Sequence, residues 1–177
     1  MKLNRNRTDG FTIIELLITM SIAVIVLTIG VPSFQNMVKD RRSQTSLQAL
    51  ITDLEMARSE AMTRNQPVVL CRHDGETTTP TACSTSADWE DGWVIFVDTD
   101  GDDKVDANEL LRVTASLGSG LDLDYTKASI TFSSRGFANE WNGTFRICDD
   151  RGYQYGHKLL VSSSGFSQTL SATSCPS

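Results

Sequence analysis

The chain has 177 residues, of which 40% are hydrophobic and 21% charged, which excludes both wholesale disorder and a polytopic membrane protein. Its 16 basic and 22 acidic residues leave a net charge of −6, against the basic surplus of a general nucleic-acid binder. The length suits one ordinary domain with an appendage. The distribution is uneven: apolar residues gather near the N-terminus and acidic residues in the middle.

Residues 1–10 carry Lys2, Arg5 and Arg7 against Asp9. From Leu16 to Val31 no residue is charged, and with Phe11–Glu15 the stretch is long enough for a bilayer of ~30 Å at ~1.5 Å per residue. Cations ahead of such a span keep that end cytoplasmic and send the remainder across the membrane. A cleaved secretory signal fits poorly. The apolar run is longer than an ordinary signal core, no small-x-small site follows it, and Glu15 lies inside it.

A carboxylate at membrane depth costs about 2.5–3.5 kcal/mol on insertion scales, so it ordinarily has a partner or a function. Around Glu15 the chain reads Gly10-Phe11-Thr12-Ile13-Ile14-Glu15-Leu16-Leu17, which resembles the type III signal of type IV pilins and type II secretion pseudopilins. The resemblance implies that 1–10 is a leader, that a prepilin peptidase cuts after Gly10, and that it methylates the new terminus at Phe11. It also implies that Glu15 neutralises the N-terminal amine of a neighbouring subunit. Physical chemistry points the same way, since a buried anion and a buried cation become tolerable together.

Segment 11–32 is then the membrane and filament-core helix, and 33–66 an amphipathic helix packing on a head. Pro32 removes a backbone donor and is expected to kink or loosen the helix. Beyond it, Leu47, Leu50, Ile51, Leu54 and Ala61 keep the spacing of one helical face. Polar residues, Asp53 among them, are read as the solvated side. The stripe is too short for a coiled coil, and Pro67 ends the helix near Gln66.

After Pro67 come short β runs between turn residues: 68–72, 93–98, 110–114, 129–133, 144–149 and 158–162. The expected fold is α+β, a long N-terminal helix packed on a C-terminal antiparallel sheet that forms a β-rich head over 67–177. Glu60-Ala61, the run from Trp89 through Trp93 to Asp98, and Ile130-Thr131-Phe132 ahead of Arg135-Gly136 are similar to the GspH/FimT branch. That branch holds secretion pseudopilin H and the FimT- and FimU-like minor pilins, and the likeness extends over essentially the whole chain.

Four cysteines allow three pairings, and a head outside the cytoplasm favours disulfides. Cys71 with Cys83 would close a local loop, and Cys148 with Cys175 would tie the tail to a strand. Zinc is disfavoured by the absence of C-x-x-C spacing. Residues 76–109 hold ten acidic side chains and one basic one. Within them Asp98, Asp100, Asp102, Asp106 and Glu109 fall at positions 1, 3, 5, 9 and 12 of a calcium loop, with Val105 at the apolar position eight. Asp103 replaces the glycine of position six and a β run precedes the loop, so a solvated turn is the competing reading. His73 and His157 stand in no nucleophile motif and read as surface or strand residues; Ser164 lacks a G-x-S-x-G setting.

Some FimT-like relatives bind DNA through a glycine-arginine-x-arginine motif; the matching stretch here, Gly165-Phe166-Ser167-Gln168, has neither arginine. Arg135, Arg146, Arg151 and Lys158 remain as a small candidate patch. The sequence therefore reads as a non-enzymatic minor pilin or pseudopilin anchored in the inner membrane, its head in the periplasm or at a filament tip. Its partners would be other pilins or pseudopilins and the prepilin peptidase, with DNA unlikely. No cofactor is expected unless the acidic loop takes calcium. The alternative is a tip module that captures calcium, DNA or a secreted protein.

Overall fold

The computed structural model describes residues 11–73, 80–106, 108–138, 140 and 142–175. One helix, α1, runs from Ile13 to Arg64 and passes through Pro32 without interruption. The chain divides into two compact units, Met1–Lys39 and Asp40–Ser177.

In the first unit the described apolar side chains are all exposed, from 46% at Val31 to 82% at Ile13. The hydroxyls of Thr19, Ser21 and Thr28 donate to the carbonyls of Leu16, Leu17 and Ile25 at 2.7–3.0 Å. Such self-satisfied polar groups suit a helix surrounded by lipid or by other apolar helices. By length and composition α1 is able to cross a membrane.

In the second unit the inner face of α1 is Ser43, Ser46, Leu47, Leu50, Asp53, Leu54, Ala57 and Ala61. Asn65, at φ 55°, turns the chain into the left-handed region just past the helix, and Gln66 N–H reaches back to Ala61 O at 3.3 Å. Eight strands follow: β1 Val68–Arg72, β2 Trp93–Val97, β3 Leu110–Thr114, β4 Leu121–Asp124, β5 Ser129–Phe132, β6 Gly143–Asp149, β7 His157–Val161 and β8 Ser167–Ser171. They form two antiparallel sheets, ordered β3-β2-β1-β5 and β4-β6-β7-β8. The single sheet expected from sequence is thus two. Six strands lie where they were expected; β4 and β8 were not expected.

A main core joins α1 to one face of each sheet through Leu50, Leu54, Val68, Leu70, Ile95, Phe132, Ile147 and Leu159. At one end Trp89 meets Phe145 edge-on at 5.0 Å and Tyr125 stacks on Phe145 at 4.2 Å. Gly143 is glycine because a Cβ there would lie 2.6 Å from the Tyr125 ring. A second cluster, Val69, Cys71, Val94, Phe96 and Val105, covers the outer face of the first sheet. Burial on both faces explains why β1 and β2 are continuous apolar runs rather than alternating ones.

Asp53, read as solvent-facing, is buried, and so is His73, read as a surface or strand residue. Asp53, 1% exposed, accepts from Trp93 Nε1 and Thr114 Oγ1, each at 2.8 Å. Its Oδ1 meets Arg112 Nη1 at 3.1 Å, an ion pair that lacks hydrogen-bond geometry. His73, 2% exposed, has Nε2 at 3.2 Å from the carbonyl of Thr114. Both link elements that meet at β3, where polar groups leaving water need partners.

Candidate functional site

The N-terminal candidate site is built by the first turn of α1. Thr12 caps the helix: its Oγ1 accepts from Glu15 N–H at 3.2 Å and its carbonyl accepts from Leu16 N–H at 3.2 Å. Glu15 therefore sits in the first turn, where the helix dipole favours an anion, with its side chain exposed. Phe11 is exposed beside it, 81% open. Gly10 lies outside the described residues.

In the head, Cys71 is bonded to Cys83 with Cα atoms 5.6 Å apart, and Cys148 to Cys175 at 5.9 Å. The first bond holds Cys83 against the cluster on the outer face of the first sheet. It also supports the acidic turn, because Val105 N–H donates to Thr81 O at 3.0 Å and Lys104 bridges Ala82. Val105 is buried, as an apolar position eight requires.

Of the five carboxylates singled out in that turn, three converge. One oxygen from each of Asp98, Asp100 and Asp102 lies within 4.8 Å of the others. Asp106 and Glu109 are outside this group. Glu109 is buried and spent on the turn itself, accepting from the Thr99 hydroxyl and from Thr99 N–H at 3.0 Å; these bonds, the hydroxyl's first, hold it below the usual carboxylate range. Asp98 caps Gly101 N–H at 2.9 Å, yet burial pushes its pKa up, with Asp103 and Asp100 adding repulsion. Asp103 stands at φ 57°, so the position that departs from glycine still makes the left-handed bend. Lys104 pairs with Asp102 at 2.5 Å.

Two of the four residues of the candidate DNA patch are paired with carboxylates, while Lys158 donates to Thr173 Oγ1. Arg146 pairs with Asp124 at 2.8 Å, and Arg151 bridges Asp40 and Asp149 at 2.7 Å each. In the loop at residues 165–168, Phe166 is exposed with Arg58 at 4.1 Å over its ring. Gly165, at φ 78°, would place a Cβ 2.2 Å from Gly136 O, so that loop is fixed by glycine.

A second acidic group lies between Trp89–Asp91 and β4. Burial pushes Glu90 and Asp122 above their ordinary range; Asp122 also feels Asp124 and Asp88, while backbone N–H bonds partly offset the rise at Glu90. A raised carboxyl pKa in the folded state means that folding disfavours the ionised form. The penalty is full above the folded pKa and vanishes as pH falls to the unfolded value. Asp122→Asn should therefore melt higher than wild type at pH 7, the gap closing as pH falls to the ordinary carboxylate range. Calorimetry across pH 3.5–7 checks this, and an unchanged gap would reject the burial account.

Residues 46–165 match the family described as Type II transport protein GspH, and residues 5–31 match the prokaryotic N-terminal methylation motif. No curated protein matches the chain. The fold is similar to that of the type IV minor pilin FimU of Pseudomonas aeruginosa, at 23% identity and TM-score 0.60, covering 79% of this chain and 99% of that one. It is also similar to the minor pseudopilin EpsH of Vibrio cholerae, at 14% identity and TM-score 0.51, covering 73% and 97%. With a family match over most of the head and the methylation motif over the exposed helix, the chain belongs to the GspH family of pilin-like type II transport proteins.

Proposed function

We propose that the chain is a structural, non-enzymatic subunit of a type IV pilus or a type II secretion pseudopilus, acting in the complex that primes or caps the filament. The observation that carries this reading is a helix with its apolar side chains exposed and Glu15 in its first turn, joined in one chain to a GspH-type head. Such a surface needs lipid before assembly and the helices of neighbouring subunits afterwards. The inner membrane would hold it first, with the head in the periplasm. Intact-mass measurement of membrane-extracted protein tests the processing step. The expected mature chain begins at N-methylated Phe11 in cells with the prepilin peptidase and keeps the leader residues ahead of Phe11 in cells without it. A chain beginning beyond Val31 would contradict it.

A second reading concerns the acidic turn, favoured by the convergence of Asp98, Asp100 and Asp102. These three would hold a calcium ion at roughly millimolar affinity, the range of exposed extracellular sites. By mass action, ten times the Kd raises stability by about 1.4 kcal/mol, a Tm increase of about 3–5 °C, with magnesium doing less. Asp98→Ala with Asp100→Ala should erase the shift. Equal melting of wild type in calcium and in chelator would leave the turn as a solvated loop closed by its own hydrogen bonds.

A further inference from the structure

Strands β3, β5, β4 and β8 edge the two sheets, and three of them are protected. β3 presents Arg112 and pairs with β2 through a register shift at Ile95 and Phe96. β5 is buried or half-buried along its length. β4 carries Asp122 and Asp124, and its Leu123 N–H donates to Glu90 Oε2 at 3.4 Å. β8 has none of these devices: Ser167-Gln168-Thr169-Leu170-Ser171 holds no charge and no proline, and its last four residues are exposed. From Leu159 to Cys175 the chain has no charged side chain, in a protein that is 21% charged.

The β7–β8 ladder shows which groups that edge offers. At its two ends Ser162 N–H donates to Phe166 O at 2.9 Å and Ala172 N–H to Gly156 O at 3.0 Å. Bonding alternates along an antiparallel pair, so Gln168 and Leu170 bond to β7 while Ser167, Thr169 and Ser171 turn N–H and C=O to the open edge. On the face away from the main core, one row crosses the sheet through Asp124, Arg146, Lys158 and Leu170, each opposite the next. Asp124 and Arg146 pair, Lys158 donates to the Thr173 hydroxyl, and Leu170 is 47% exposed. The row is one carboxylate short of charge balance.

We infer that the open edge of β8 takes an added strand from a neighbouring subunit that is not a copy of this chain. For the source of that strand the inference rests on the filament reading above. The edge sets the strand's chemistry: main-chain groups that meet Ser167, Thr169 and Ser171, and a carboxylate beyond Leu170 that reaches back to Lys158. A second copy offers no such carboxylate, because β8 is uncharged and its outer face would add another Lys158. Five residues at ~3.4 Å each make an edge of about 17 Å, too short for the ~1,000 Å² of a free-standing interface. The partner is therefore one already held alongside. With β4 closed by Glu90, the contact does not propagate through this sheet. One edge and one partner suit a subunit of the priming or capping kind.

The test uses the full chain in cells that carry the filament system. A photocrosslinking benzoylphenylalanine replaces Gln168, and the product is mapped by mass spectrometry. The expected product joins residue 168 to an extended, acid-containing segment of a different pilin-like subunit. Thr169→Pro removes an outward N–H and no bond to β7, and should lower the yield at least fivefold. Thr169→Val should stay within twofold. Lys158→Glu should lower the yield at least threefold and Lys158→Arg should not, so the result does not depend on how β8 accommodates proline. A product with a second copy of this chain, a product mapping to a helix, no product, or a yield indifferent to Thr169→Pro or to Lys158→Glu overturns the strand addition. The filament reading is judged separately, on recovery of the wild-type chain from sheared filaments. Recovery there without the crosslink defeats the strand addition alone.

Discussion

Glu15→Ala should leave membrane insertion intact, or ease it, while lowering recovery of the chain in sheared filaments or crosslinked tip complexes at least tenfold. The substitution removes a costly carboxylate from the apolar helix, so insertion has nothing to lose. What disappears is the anion available to a neighbouring terminal amine, and an unpaired buried cation costs about 3–5 kcal/mol, more than enough for a tenfold effect. Thr12 would still cap α1, because it bonds the backbone N–H of residue 15 and not its side chain. A helix defect is therefore not the expected cause. Glu15→Asp should fall between, since its shorter side chain reaches less far. Normal recovery of Glu15→Ala in filaments would sink the assigned role of this residue.

Asp53→Ala should be strongly destabilising for a polar-residue change in the head. It leaves Trp93 Nε1 and the Thr114 hydroxyl without their acceptor and takes from Arg112 its ion-pair partner. Orphaned buried donors and a partner lost to a charge together suggest about 3 kcal/mol. For a chain of this size that is a fall in Tm of roughly 6–12 °C. Asp53→Asn keeps one carbonyl acceptor and should lose about half as much. The two variants melted side by side distinguish hydrogen bonding from simple loss of volume. Equal small shifts would show that α1 is held to the first sheet by apolar packing alone.

Much of the fold was legible in the sequence because its signals are local. The apolar segment, the helical stripe at Leu47, Leu50 and Leu54, and the β-branched runs of β1 and β2 each follow from composition and spacing. What escaped depends on tertiary context. Strand β4 is only Leu121-Asp122-Leu123-Asp124, and aspartate is depleted in strands; its two leucines are buried by β6 and the main core. Strand β8 is a mostly exposed edge whose existence rests on pairing with β7, near a tail tied by Cys148–Cys175. Asp53 was misread from its residue type. Its position was informative, three residues after Leu50 and four before Ala57, squarely on the inner face of α1.

At the candidate sites the same division holds. Gly10, Phe11 and Glu15 form a contiguous motif, so sequence was enough to single them out. The acidic turn is discontinuous in effect: five carboxylates share a spacing, but the Thr99 bonds turn Glu109 to structural use, and only three meet.

The most direct measurement of the central claim is quantitative mass spectrometry of filaments sheared from cells, compared with the membrane fraction of the same cells. A filament subunit of the priming or capping kind should appear in the sheared fraction as the chain beginning at Phe11, present at low copy beside a more abundant pilin or pseudopilin. A wild-type chain confined to membranes, with none in intact filaments or in the complexes that start them, would contradict the account.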